Sequence, residues 1–127
     1  MTTATIEIPD LYRIDQSFAD TGIKAVRETT ARVLDGSGYC ARTQAGQQGA
    51  VCVASRGTHD LKDLVKATVE HLRRSGLNPF ITPAMGSHGG ATGEGQASVL
   101  RGLGITEGET GVPIRASMDV RSLGTVD

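Results

Sequence analysis

From Gly49 onward the spacing of apolar and polar positions predicts a strand, a helix, a second strand, a glycine-rich loop and a second helix. "AVCVAS", Ala50 to Ser55, is a continuous apolar run carrying valines, the pattern of a strand buried on both faces, and it ends at Arg56-Gly57. "THDLKDLVKATVEHLRRSG" follows. Leu61, Leu64, Val65, Thr68, Val69 and Leu72 fall on one face at helical spacing, with Thr58 or Asp60 as N-cap and Gly76 as the stop. Its opposite face carries Lys62, Lys66, Glu70, Arg73 and Arg74, with Glu70 and Arg74 at a favourable i, i+4 spacing; His71 reads as a structural residue on that solvated side. "NPFITPAM" reads as the next strand, and a helix starts near Thr92 and runs through Val99-Leu100 toward Gly102. A strand, crossover helix and strand of these lengths make a right-handed βαβ unit with parallel, adjacent strands.

The first 48 residues have a different character. Ile6 and Ile8 alternate as in a short strand before a turn at Pro9-Asp10, and Ile23, Val26, Thr30, Val33 and Leu34 line one face of a helix ending near Gly36. "DGSGYCARTQAGQQG" reads as a connection. Residues 1–48 therefore form the strand, helix and connecting loop of the same domain whose βαβ core is residues 49–127. "GVPIRASMDVRSLG" adds a further strand of unassigned pairing. The expected fold class is α/β, a small, mostly parallel sheet with flanking helices, and 127 residues suffice for one such core. So small a sheet leaves an edge to cover, which favours association with another copy of the chain or with a further domain.

Composition narrows the function classes. A net charge of -1 with both signs interspersed provides no polyanion-binding surface, and Tyr12, Phe18, Tyr39 and Phe80 do not interleave with basic runs, so no nucleic-acid partner is expected. No apolar stretch approaches the roughly 20 residues of a membrane helix, and the first residues lack the charged and apolar regions of a signal peptide, so the expected location is cytoplasmic. Cys40 and Cys52 form no C-x-x-C pair and read as reduced thiols.

The polar segments that follow the two strands carry the candidate chemistry. In open α/β sheets ligands sit beyond the carboxyl ends of the strands. "SRGTH", Ser55 to His59, leaves the first strand and "GSHGG", Gly86 to Gly90, leaves the second. Neighbouring strands would bring Arg56 and His88 within reach of one small ligand. An arginine holds a carboxylate through two parallel hydrogen bonds, and a histidine exchanges protons near neutral pH. That combination points to a small hydroxy or keto acid. Gly86, Gly89 and Gly90 permit positive φ and close approach to a ligand or phosphate-bearing cofactor, and Ser55, Gly57 and Ser87 complete the lining. The same glycines also serve as plain turn residues, and Arg56 also reads as a sheet-edge side chain.

Other motifs fit less well. No lysine follows Lys66, which excludes a P-loop; Gly93-Glu94-Gly95 begins a dinucleotide fingerprint, but Ser98 stands where its third glycine or alanine belongs. His59 and His88 lack short-range metal-ligand spacing with Asp60 or Glu94, so no metal ligands are assigned to this chain.

"ASRG", "PFITPAMGSHGGATGEGQ" and "GVPIRASMDV" together closely resemble the N-terminal region of the lactate-racemase-like proteins, the nickel-pincer-dependent 2-hydroxy-acid racemases and epimerases, over roughly residues 10 to 127. The resemblance implies a nickel-pincer nucleotide that accepts a hydride from the hydroxyl-bearing carbon while a histidine removes the hydroxyl proton. That histidine maps onto His88 and the substrate-contacting arginine onto Arg56. Val53 and Ser55 stand where lactate racemases place an aspartate and a threonine, so a larger polyhydroxy or sugar acid suits the chain as well as lactate. The family's cofactor-tethering lysine, nickel-ligating histidine and second acid/base histidine lie beyond the equivalent of Asp127. The resemblance thus implies the N-terminal domain of a longer isomerase, inactive alone and without its C-terminal cofactor-bearing domain. The alternative is a non-catalytic α/β module that binds a small anion or a partner chain.

Overall fold

A computed structural model of the chain describes residues 10–19 and 21–125. The elements are α1 (Val26–Gly36), a 3-10 turn (Cys40–Arg42), β1 (Gln48–Val53), α2 (Leu61–Arg74), β2 (Asn78–Pro83), a second 3-10 turn (Gly89–Ala91), α3 (Gly93–Gly102) and α4 (Glu107–Thr110). The strand anticipated around Ile6 and Ile8 lies outside the described residues.

β1 and β2 pair in parallel, from Gln48 opposite Asn78 to Val53 opposite Pro83, so the α/β fold class and the βαβ core expected from the sequence are present. Ala84 N–H donates to the Val53 carbonyl at 2.8 Å and carries the pairing one residue past β2. The "GVPIR" segment adds a single parallel bridge, Ile114 opposite Ile81, on the other side of β2. There Ile81 N–H donates to the Pro113 carbonyl at 2.9 Å and Arg115 N–H to the Ile81 carbonyl at 2.8 Å. The Arg115 guanidinium also lies 4.3 Å from the centre of the Phe80 ring.

The core occupies one face of this sheet. Val53, Val69, Ile81, Leu100 and Ile105 are fully buried, with Val51, Val65, Leu72, Leu77 and Val112 around them. β1 is not buried on both faces as its unbroken apolar run implies. Its residues alternate exposed and buried, leaving Ala50 and Cys52 open. The reason lies in the helices: α2 and α3 cover the Val51, Val53 and Ile81 side and leave the Ala50 and Cys52 side uncovered.

Helix ends follow capping chemistry. α2 closes in a Schellman motif: Gly76 has φ +81°, its N–H reaches the Arg73 carbonyl at 2.9 Å, and Leu77 N–H reaches Leu72 at 3.0 Å. α3 repeats the arrangement two residues beyond the expected stop, because Gly104 at φ +75°, rather than Gly102, supplies the left-handed residue. Asp60 takes the N-cap place of α2 with φ 56° and makes no side-chain capping bond, whereas the Thr92 hydroxyl caps α3 by accepting from Gly95 N–H at 3.0 Å.

α1 packs on the outer side of α2. Val26, Thr30 and Leu34 are half-buried in that contact, while Ile23 and Val33, on the same predicted face, are exposed. This packing changes the polar side of α2. Glu70 pairs with Arg27 at 2.6 Å, and His71, expected on a solvated face, is buried beneath α1 and the first 3-10 turn.

Candidate functional site

The parallel register fixes where the two polar loops emerge. β1 ends at Val53 opposite Pro83, so Ser55 and the segment from Gly86 leave the same end of the sheet. There the Ser55 hydroxyl and His88 Nδ1 are hydrogen-bond partners. With Nδ1–H donating to the Ser55 hydroxyl oxygen, Nε2 is left unprotonated as an acceptor. Both carboxyl-end loops thus meet through one side-chain pair, made by Ser55 rather than by the Arg56 singled out in the sequence.

Arg56 follows Ser55 in the same loop and is exposed, and its guanidinium has no hydrogen-bond or ion-pair partner among the described residues. Gly57 is also exposed, and Thr58 N–H turns back to the Arg56 carbonyl at 2.7 Å. His59 stands apart. Its side chain is 97% exposed and reaches only Asp60, at 3.6 Å, so it does not join Ser55 and His88.

The His88 loop is held from below by the protein's own backbone. His88 N–H donates to the Met85 carbonyl at 3.2 Å, and Ala91 N–H donates to Ser87 at 3.1 Å. Gln96 of α3 is buried and its amide donates to the Gly86 carbonyl at 2.7 Å. Gln96 escapes motif reading, although its spacing shows it: it sits four residues before the fully buried Leu100, a polar side chain on an apolar stripe.

The glycines of the loop divide into two kinds. A Cβ on Gly89 would press on the backbone of Gly95 and Gln96, and a Cβ on Gly95 would overlap the Gly89 carbonyl. Close backbone approach, expected at Gly89 toward a ligand, is made here to the first turn of α3. Gly86 and Gly90 instead have open space around the position of a Cβ and positive φ, 59° and 69°. Those two and the exposed Ser87 form the solvent side of the loop next to His88.

As an acid/base pair the arrangement is chemically complete in outline. A serine hydroxyl orients an imidazole, and the other ring nitrogen is available to a ligand proton. No group of three metal-ligating side chains converges among the described residues. No helix among them is long and apolar enough to cross a membrane. Comparison with protein-family models, curated proteins and solved structures finds no match to this chain.

Proposed function

We propose that the strand-end site binds the carboxylate of a small 2-hydroxy acid at Arg56 and exchanges the substrate's hydroxyl proton with His88. The chain then acts as the N-terminal part of a racemase or epimerase. The observation that carries this reading is the Ser55–His88 pair, formed across the ends of two parallel strands with Arg56 one residue away on the same loop.

Ser55 fixes the imidazole through Nδ1, leaving Nε2 to face the hydroxyl of the bound acid. Arg56 supplies a two-point donor for the carboxylate and sets the distance between anchor and acid/base group. Gly57, Gly86, Ser87, Gly89 and Gly90 line the site. Gly86 and Gly90 leave an open edge that suits a flat cofactor such as a nickel-pincer nucleotide. When bound, that cofactor supplies the hydride acceptor; its nickel ligands are not assigned to this chain. The same reading places the protein in the cytoplasm, in keeping with its two unpaired cysteines.

Calorimetric titration with lactate, a sugar acid and the matching neutral amides tests the proposal without cofactor. The acids are expected to bind and the amides not, with Arg56→Ala losing acid binding and His88→Ala retaining most of it. Equal binding of acid and amide, or wild-type acid affinity in Arg56→Ala, rules out the carboxylate anchor. Acid binding that never leads to stereochemical inversion in the cofactor-loaded protein favours the small-anion module.

A further inference from the structure

A second cluster lies away from the strand ends, between α1, α2 and the first 3-10 turn. Cys40 Sγ is 3.2 Å from His71 Nε2, and His71 Nδ1 is 3.1 Å from Asp35 Oδ1. Three elements supply the three groups: Asp35 the last turn of α1, Cys40 the first residue of the 3-10 turn, and His71 the last turn of α2. Their order along the hydrogen bonds is thiol, imidazole, carboxylate.

One proton arrangement satisfies both contacts. Nδ1–H donates to the carboxylate, which leaves Nε2 as an acceptor aimed at the sulfur. The histidine is buried, so its ring cannot turn freely to another partner. Cys40 is half-buried rather than enclosed, packed at the margin of the core. The chain's other cysteine, Cys52, is exposed on the open face of β1.

We infer that Cys40 is a nucleophilic modification site for small soft carbon electrophiles of the α,β-unsaturated carbonyl class, with His71 as its base and Asp35 as the group that positions His71. In the addition, the S–H proton passes to His71 Nε2 as the Sγ–C bond forms at the β carbon. The π pair of the C=C bond moves to the α carbon, which then takes the proton back from Nε2. No leaving group or external oxidant is needed. The cluster shares no residue with the strand-end site, so this inference stands independently of that proposal.

N-ethylmaleimide, an electrophile of this class, tests it. Peptide mass spectrometry follows Cys40 and Cys52 in the same molecule near neutral pH. Cys40 is expected to react about tenfold faster than Cys52, an order below what a general base contributes in a fully assembled enzyme site. His71→Gln should bring Cys40 down to the Cys52 rate while circular dichroism and the Cys52 rate stay unchanged, and Asp35→Asn should give an intermediate rate. A Cys40 rate at or below that of Cys52 in the wild type overturns the inference. Should His71→Gln unfold, the exposed Asp35→Asn substitution decides: an unchanged Cys40 rate in that folded variant also overturns it.

Discussion

Gly95→Ala sets helix propensity against backbone packing. Gly95 lies in the first turn of α3, where replacing glycine by alanine ordinarily gains up to about 1 kcal/mol. The packing gives the opposite sign. A Cβ there overlaps the Gly89 carbonyl oxygen and comes within 2.9 Å of the Thr92 hydroxyl. Both neighbours are fixed, since the Thr92 hydroxyl donates to the Gly89 carbonyl at 3.2 Å and accepts from Gly95 N–H at 3.0 Å. Relieving the overlap requires the 86–91 loop to retreat by roughly an ångström, and overpacking of this kind costs about 1–3 kcal/mol. Loss of the Thr92 cap adds about 1 kcal/mol. Offset by the propensity gain, the net expectation is a destabilisation of about 2 kcal/mol together with displacement of His88 from Ser55. Gly102→Ala, in the same helix with nothing within 4 Å of its Cβ position, is the control and should be neutral or stabilising. Urea unfolding gives both stabilities, and the His88 imidazole signals in a nitrogen-correlated NMR spectrum report the loop. A Gly95→Ala protein at or above wild-type stability, with His88 unmoved, refutes the reasoning.

Three further outcomes follow from the same packing. Ile81 is fully buried between β1 and the Ile114 bridge, and Ile81→Ala should lower unfolding stability by about 3 kcal/mol in urea. Thr92→Ala removes the α3 cap and should cost about 1 kcal/mol, with Thr92→Ser restoring most of it. Hydrogen bonds and charge attraction from Lys62, then Lys66, hold the Glu109 carboxyl below its ordinary value of 4.5. A depressed carboxylate contributes stability above its unfolded-state value, and that contribution is lost as pH falls through the folded value. Glu109→Gln should therefore flatten the acid side of the stability curve slightly, below about pH 5, and leave an unchanged curve if the lysines do not act on it.

The βαβ core was legible because each of its elements carries its own local signal. The α2 stripe from Leu61 to Leu72 and the Gly76 stop translate directly into a helix and its Schellman closure. Once two parallel strands are inferred, the meeting of the two loops follows from register, but which side chain of the first loop reaches His88 does not: it is Ser55, where the sequence pointed to Arg56. The misreadings arise where the answer depends on what lies opposite. β1 has the composition of a strand buried on both sides, yet burial is decided by where the helices sit. His71 has the neighbours of a surface residue, and only the positions of α1 and the first 3-10 turn enclose it. The glycines of "GSHGGATGEG" show the same effect in reverse. Their number signals close approach, but only the fold reveals that Gly89 and Gly95 approach each other.

The central claim is that β1 and β2 deliver Ser55, Arg56 and His88 to one carboxylate site, and His88 reports on it directly. The measurement is the imidazole nitrogen spectrum of His88 during titration with a 2-hydroxy acid, in the wild type, Ser55→Ala and Arg56→Ala. The account predicts an Nδ1 signal sensitive to Ser55→Ala in the free protein, and an Nε2 signal that moves with acid in the wild type but not in Arg56→Ala. A His88 spectrum indifferent to Ser55 and to added acid would contradict it.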